Sequence, residues 1–194
     1  MSVSRSRFIA QAGVIAAVHA AATVAVLQMP GQLGWGPVQF RLSEALTVLA
    51  LFTPAAVPGL AVGTALANAT VVAQVGAVGL LDVLFGSLAT FLGATWTWRL
   101  RRRKALALLG PVIANALIVP AYLPILFAAL GLSQAPFLGI DVSSGPLVVY
   151  GLGVITVGIG QAVVVYGVGL PLATVLRTRI AGLIGWSERD GEKR

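Results

Sequence analysis

The stretch FIAQAGVIAAVHAAATVAVLQM, residues 8–29, contains no Lys, Arg, Asp or Glu. At a rise of about 1.5 Å per residue, a helix of this length crosses the roughly 30 Å hydrocarbon core of a bilayer. It is too long for the apolar core of a signal peptide and more apolar stretches follow, so it reads as a retained helix. The rest of the chain has the same character. Hydrophobic residues make up 58% of it and charged residues 10%, and the mean hydropathy is +0.94. Soluble domains carry about a quarter charged residues. A surface this apolar cannot be covered for water, so the bilayer is the solvent. The 194 residues allow one membrane domain with six or seven crossings at about 20 residues each.

The pattern predicts an all-α integral membrane protein of six transmembrane helices. Helix 1 spans about Phe8–Met29, followed by a Gly/Pro-rich loop 1, Pro30–Val38, with Trp35. Helix 2, about Gln39–Phe52, is short and ends at a turn marked by Thr53-Pro54 and Val57-Pro58-Gly59. Helix 3 follows to about Gln74. After a short loop, Val75–Leu80, helix 4 covers about Leu81–Trp98. Helix 5 runs from about Ala105 to Leu130, with Pro111, Pro120 and Pro124 tolerated because neighbouring helices can satisfy the freed carbonyls. Loop 5 spans Gly131–Gly145. Helix 6 is about Pro146–Leu176, and residues 177–194 form a basic tail after the bundle of residues 8–176.

The net charge of +7 is not evenly spread. Arg5 and Arg7 precede helix 1. Arg99, Arg101, Arg102, Arg103 and Lys104 follow helix 4. Arg177, Arg179, Arg189, Lys193 and Arg194 lie in the tail, which leaves Arg41 alone elsewhere. Each basic run abuts an apolar span, the pattern of the positive-inside rule rather than of nucleic-acid binding. Six crossings put both termini and the 99–104 run on the cytoplasmic side. Loops 1, 3 and 5 would then lie outside, without Lys or Arg. Five or seven crossings would separate the tail from the other basic segments.

Few polar groups remain to carry function. With no Cys, disulfides, thiolate metal sites and Cys nucleophiles are excluded. A single histidine, His19, has no partner at metal-ligand spacing, so no metal is expected and His19 reads as a packing residue. No hydrolytic or nucleotide-binding motif appears, so the chain is not expected to be an enzyme. Glu44 and Asp82 lie in or at the edge of apolar segments, where an ionisable group is costly and marks a candidate site. Arg41 is one turn before Glu44 on one helix face, so the role of Glu44 stays open between recognition and an internal Arg41–Glu44 pair. Asn68, Asn115 and Gln161 are amides in mid-helix, able to read a ligand or to hold helices together. Trp96, Trp98 and Trp186 suit an interface belt, and Trp35 is the better candidate for stacking on a ligand. Ala12, Ala16 and Ala20, with Gly13, Ala17 and Ala21 beside them, give helix 1 a smooth face for close approach of another helix.

FRLSEALTVLALFTPAAVPGLAVGTALANA, residues 40–69, resembles the signature of the QueT family. LDVLFGSLATFLGA, residues 81–94, GPVIANALIV, residues 110–119, and YGVGLPL, residues 166–172, are similar to it in the same order. The resemblance implies a substrate-binding S component of an energy-coupling factor (ECF) transporter in the bacterial cytoplasmic membrane. Its substrate would be a queuosine precursor, a 7-deazaguanine. Its partners would be a transmembrane T protein and two ATPases, with Ala12, Ala16 and Ala20 resembling the surface that docks on the T protein. No cofactor is implied. The family pattern often has Gly-Glu where this chain has Gly160-Gln161, and an acidic residue near Pro120 and Tyr122. These departures bear on which deazaguanine is preferred. The alternatives are an S component for another vitamin-like heterocycle and a non-transporting scaffold.

The chemistry that follows is a carboxylate accepting the two adjacent donors of a guanine-like edge in a fork. Glu44 is the first choice and Asp82 the second. Asn115 and Gln161 would read the carbonyl and ring nitrogen, and Trp35 or Tyr122 would stack on the plane. Loops 1, 3 and 5 would cover the site. The topology has a direct test, because the natural chain holds no thiol. Single cysteines at Gln32 and Ser133 are expected to react with an impermeant thiol reagent added to intact cells, and one at Ser187 is not. Labelling of position 187 from outside would contradict the arrangement.

Overall fold

The structure is a computed structural model and describes residues 5–27, 41–129, 131 and 145–184. Every regular element among the described residues is helical. Helix α1 is Arg5–Leu27. A 3₁₀ helix, α2, spans Leu42–Leu51, and α3 spans Ala56–Val75. A 3₁₀ turn at Gly76–Gly79 and a π-turn at Asp82–Gly86 lead into α4, Ser87–Arg99. Helix α5 is Lys104–Ala129. Helix α6, Pro146–Ala162, passes through a π-segment at Val163–Gly169 into α7, Leu170–Ile184. The final helix therefore runs eight residues past Leu176, where a polar tail was expected. The remaining tail with Trp186, loop 1 with Trp35, and loop 5 apart from Gly131 and Gly145 lie outside the described residues.

Arg5–Leu27, Ala56–Gly79, Lys104–Leu126 and Leu147–Arg179 are each long and apolar enough to cross a membrane. The ten residues of α2 are not. At about 2 Å per residue they rise about 20 Å, short of the roughly 30 Å core. This short helix is instead a buried core element, with Ser43, Glu44, Ala45, Thr47, Val48 and Ala50 all inside.

Contacts between named pairs fix the directions of the helices. Ala12 faces Gly59 and Ala16 faces Gly63, so α1 and α3 run parallel. Thr64 meets Thr90 and Asn68 meets Gly86, so α4 runs against α3. Gly93 lies on Pro111 while Thr97 reaches Ala107, which makes α5 antiparallel to α4. Pro120 faces Gly153 and Ala116 faces Gly158, which turns α6 back again. Arg41 lies against Asp82 and Glu44 against Thr90, so α2 follows the direction of α4. Direction therefore alternates from each helix to the next between α1 and α6, and α7 continues α6. The start of α1, the turn between α4 and α5, and the end of α7, which carry the basic residues, share one end of the bundle.

The close approaches explain several glycines and prolines. A Cβ on Gly63 would stand 2.7 Å from the Ala16 carbonyl oxygen, and one on Gly93 would stand 2.6 Å from Pro111 Cα. Pro111 lacks the N–H that would bond the Ala107 carbonyl one turn earlier. Thr97 Oγ1 of α4 lies 3.0 Å from that oxygen. That hydroxyl, which also lies 2.9 Å from the Gly93 carbonyl of its own helix, brings a donor within reach of the freed oxygen.

The interior is layered. Val71, Val119, Tyr122, Leu123, Leu126 and Val157 form an apolar cluster toward the end away from the basic segments. Val48, Leu108, Val165 and Ala173, with the neighbouring cluster of Ala50, Ala56, Leu60 and Ala94, fill the basic end. Polar side chains occupy the layer between. The Gly63→Val substitution should force α1 from α3 and destabilise the protein by about 1–3 kcal/mol. Gly13 has no atom within 4 Å of its would-be Cβ, so Gly13→Ala should be neutral or stabilise by up to about 1 kcal/mol. Thermal unfolding of both variants in detergent checks the contrast, and equal melting temperatures would contradict it.

Candidate functional site

The polar layer is built from residues of α1 to α6 and the π-turn. The helical repeat brings Asp82, Gly86 and Thr90 to one face of the π-turn and α4, at intervals of four residues. It does the same for Thr64 and Asn68 on α3. His19 on α1, Glu44 on α2, Tyr122 on α5 and Gln161 on α6 point into the same layer. His19, Glu44, Asn68, Asp82, Thr90, Asn115, Tyr122 and Gln161 are all buried.

Asp82 is thoroughly compensated. Arg41 Nη2 lies 3.4 Å from its Oδ1 in an ion pair that is 13% exposed on the arginine side and 2% on the aspartate side. The Tyr122 hydroxyl donates to the same oxygen at 2.7 Å. Asn68 Nδ2 donates to the Asp82 backbone carbonyl at 2.7 Å. Arg41 therefore bridges to α4 rather than closing on Glu44, one turn along its own helix. The spacing allowed the local pair, and the chain uses the longer reach. Phe85 stacks on Tyr122 with ring centroids 6.0 Å apart.

Glu44 is held differently. Thr90 Oγ1 lies 3.4 Å from its Oε1, and Gln161 Nε2 donates to Oε2 at 3.3 Å. Behind Thr90, Thr64 Oγ1 stands 3.2 Å away and His19 Nε2 stands 3.0 Å from Thr64. A chain of four side chains thus runs from α1 to Glu44. Both of these partners of Glu44 are neutral side chains, and the layer is flanked by apolar clusters. Two further buried atoms, Ser43 Oγ and Asn68 Oδ1, make no hydrogen bond. Buried polar groups are normally paired, so such orphans point to a ligand or to water.

Of the residues singled out from sequence, Glu44, Asp82, Arg41, Asn68, Tyr122 and Gln161 come together here. Asn115 is buried at the level of this layer on α5, but its Nδ2 donates to the Pro111 carbonyl of its own helix at 3.0 Å. Trp35 falls outside the described residues. Ala16 is buried against α3, while Ala12 and Ala20 are half-buried. Ala12 and Ala16 thus meet α3 within this chain, and Gly13, Ala17 and Ala21 are among the exposed small residues of α1. Sequence reasoning missed Thr64, Thr90 and Ser43 and left His19 as filler. The four-residue spacing of Thr64 with Asn68, and of Asp82 with Gly86 and Thr90, is the signal that could have found most of them.

The irregular helices coincide with the layer. Glu44 sits on a 3₁₀ helix, Asp82 opens one π-turn, and Gln161 stands just before the other. Such segments rotate side chains off the regular α register and recur at functional sites. Gly86 belongs to the same device. A Cβ there would stand 2.7 Å from Asn68 Nδ2, 3.2 Å from Asp82 Oδ1 and 3.3 Å from the Tyr122 hydroxyl.

Compared with known proteins, residues 9–178 match the model of a family described as QueT transporter. No curated protein and no solved structure matches the chain.

The coupling of Arg41 to Asp82 can be measured. Removing one partner of a buried pair costs about 3–5 kcal/mol, because the other charge is left alone. Arg41→Gln should lower stability by about that amount, and adding Asp82→Asn should restore most of it. Chemical unfolding of the single and double variants in detergent reads the effect. Equal losses in both would deny the pairing.

Proposed function

The chain belongs to the QueT transporter family, and we propose that it is the substrate-binding S component of an ECF transporter, with its site around Glu44. The substrate in this reading is a queuosine precursor, a 7-deazaguanine taken up from outside the cell. The observation that carries the assignment is a carboxylate buried in the bundle with only neutral partners, beside a second carboxylate already matched by arginine. A deazaguanine offers two adjacent donors, its ring N–H and exocyclic amine, to such a carboxylate. An adenine-like base lacks that edge and would leave buried groups unpaired. The role of Asp82 then becomes to hold Arg41 and Tyr122 in place, which ranks Glu44 above it as the reading acid. In this reading Gln161, within reach of Glu44, and Asn115 would meet the carbonyl and ring nitrogen. Tyr122, with Trp35, remains the proposed stacking partner.

The alternating helix directions support six passes, the short α2 serving as a half-length return, with both termini on the cytoplasmic side. The polar layer then lies in the outer half, away from the basic end. Binding and release are the tasks of this chain. It has no phosphate-cradling motif, so the driving force comes from partner ATPases acting through a T protein. Docking through α1 would use its outward side, Gly13, Ala17 and Ala21, alongside the expected Ala12, Ala16 and Ala20. A bulky residue at Ala16 would disturb the contact with Gly63, so Ala17→Trp is the cleaner probe of docking.

The Glu44→Gln substitution keeps the shape but turns one acceptor into a donor facing a ligand donor. An unpaired buried group costs about 1–3 kcal/mol, so binding of prequeuosine bases should weaken roughly ten- to a hundredfold. Asp82→Asn should affect stability more than affinity. Calorimetric titration of the purified proteins decides this, and wild-type affinity in Glu44→Gln would remove Glu44 from the site.

A further inference from the structure

His19, Thr64, Thr90 and Glu44 are all buried, and three contacts join them in line. His19 Nε2 stands 3.0 Å from Thr64 Oγ1, Thr64 Oγ1 stands 3.2 Å from Thr90 Oγ1, and Thr90 Oγ1 stands 3.4 Å from Glu44 Oε1. Each threonine has a single hydroxyl hydrogen and more than one acceptor for it. Thr64 can donate to Thr90 or to the Leu60 carbonyl of its own helix, 3.0 Å away. Thr90 can donate to Glu44 or to the Gly86 carbonyl of its own turn, 3.2 Å away. A mid-helix threonine that closes back on the carbonyl four residues before it has no hydrogen left for the next side chain. The group at the α1 end of the chain therefore bears on which way the hydrogens point, and that group is His19. A bare Nε2 would draw the Thr64 hydrogen away from Thr90, whereas a protonated Nε2 donates to Thr64 and frees that hydrogen for Thr90. The ring is also within hydrogen-bond reach of the Ser43 backbone carbonyl on α2. A Cβ on Gly63 of α3 would stand 3.0 Å from the His19 Cβ, so α3 presses close against this residue.

Resting on the S-component reading above, we propose that His19, Thr64 and Thr90 are positioning residues for substrate binding. The ring donates to Thr64, Thr64 to Thr90, and Thr90 to Glu44 Oε1. Hydrogen bonds in such a chain polarise one another, so a donor fixed at His19 strengthens the last bond. Gln161 Nε2 holds the other oxygen, Oε2, at 3.3 Å from α6. With a donor on each oxygen, the plane of the carboxylate is set before the substrate arrives. Preorganisation of this kind raises affinity because less ordering is left to the binding step. The chain also makes α1 part of the site, since a change at Glu44 is felt at His19, three hydrogen bonds away.

His19 is the sole histidine of the chain, so labelling histidine with nitrogen-15 in tag-free protein gives the spectrum of one imidazole. Calorimetric titration with 7-aminomethyl-7-deazaguanine and 7-cyano-7-deazaguanine establishes which base binds the wild type. Saturation with that base is expected to move the His19 ring nitrogens. Thr64→Val keeps the shape and removes a hydroxyl that reaches Glu44 only through Thr90. It should weaken binding about three- to tenfold, the loss of one hydrogen bond, and its ring signals should no longer respond at saturation. Thr64→Ser returns the hydroxyl and should bind as the wild type does. Unmoved ring nitrogens in the saturated wild type would overturn the relay while leaving the deazaguanine reading intact. Wild-type affinity in Thr64→Val, or a Thr64→Ser as weak as Thr64→Val, would do the same. Binding of neither base by the wild type would overturn both. The wild-type spectrum decides the question even if Thr64→Val does not fold.

Discussion

Two carboxylates stand in the middle of a helix bundle whose surroundings are hydrocarbon, and the way each is compensated organises the rest. A charged side chain at the centre of a membrane helix costs about 2.5–3.5 kcal/mol on insertion scales. Asp82 meets that cost through Arg41, with Tyr122 adding a bond to the same oxygen. Glu44 meets it only in part, through Thr90 and Gln161. The asymmetry separates an acid matched by arginine from one met only by neutral side chains within one polar layer. It also ties four elements together, since Arg41 and Glu44 on the α2 segment reach the π-turn and α4 on one side and α6 on the other.

The backbone bends to make this possible. Regular α-helices would carry a stripe of side chains along one face and no more. The 3₁₀ geometry of α2 winds ten residues into a core position that is too short to span a bilayer. The π-turns at Asp82–Gly86 and Val163–Gly169 shift register where Asp82 and Gln161 enter the layer. Apolar clusters close the layer toward both ends, so its polar groups act in a low dielectric where each bond, and each missing bond, counts for more.

Much of this was legible in the chain. The long apolar stretches gave α1, α3 and α5 to within a few residues, because composition alone decides a membrane helix. The rule that ionisable groups in apolar spans are functional picked out Glu44 and Asp82, and both proved buried. Partner choice was not legible. Local spacing favours Arg41 with Glu44, yet Arg41 pairs with Asp82, 41 positions away, because α2 and α4 run side by side. The alanine spacing of α1 was likewise ambiguous, since a smooth face serves an internal neighbour as well as an external one, and here Gly59 and Gly63 of α3 fill it. Thr64 and Thr90 were invisible because threonines are ordinary in membrane helices, and only the assembled layer shows that they link His19 to Glu44.

The central claim is that the layer around Glu44 holds a small heterocyclic substrate. Mass spectrometry of the small molecules that co-purify with the protein tests it most directly, with wild type and Glu44→Gln prepared in parallel from cells supplied with queuosine precursors. The account predicts a 7-deazaguanine at near one equivalent in the wild type and its loss from the variant. A wild type that carries no such base, or a variant that retains it at the same level, would contradict the account.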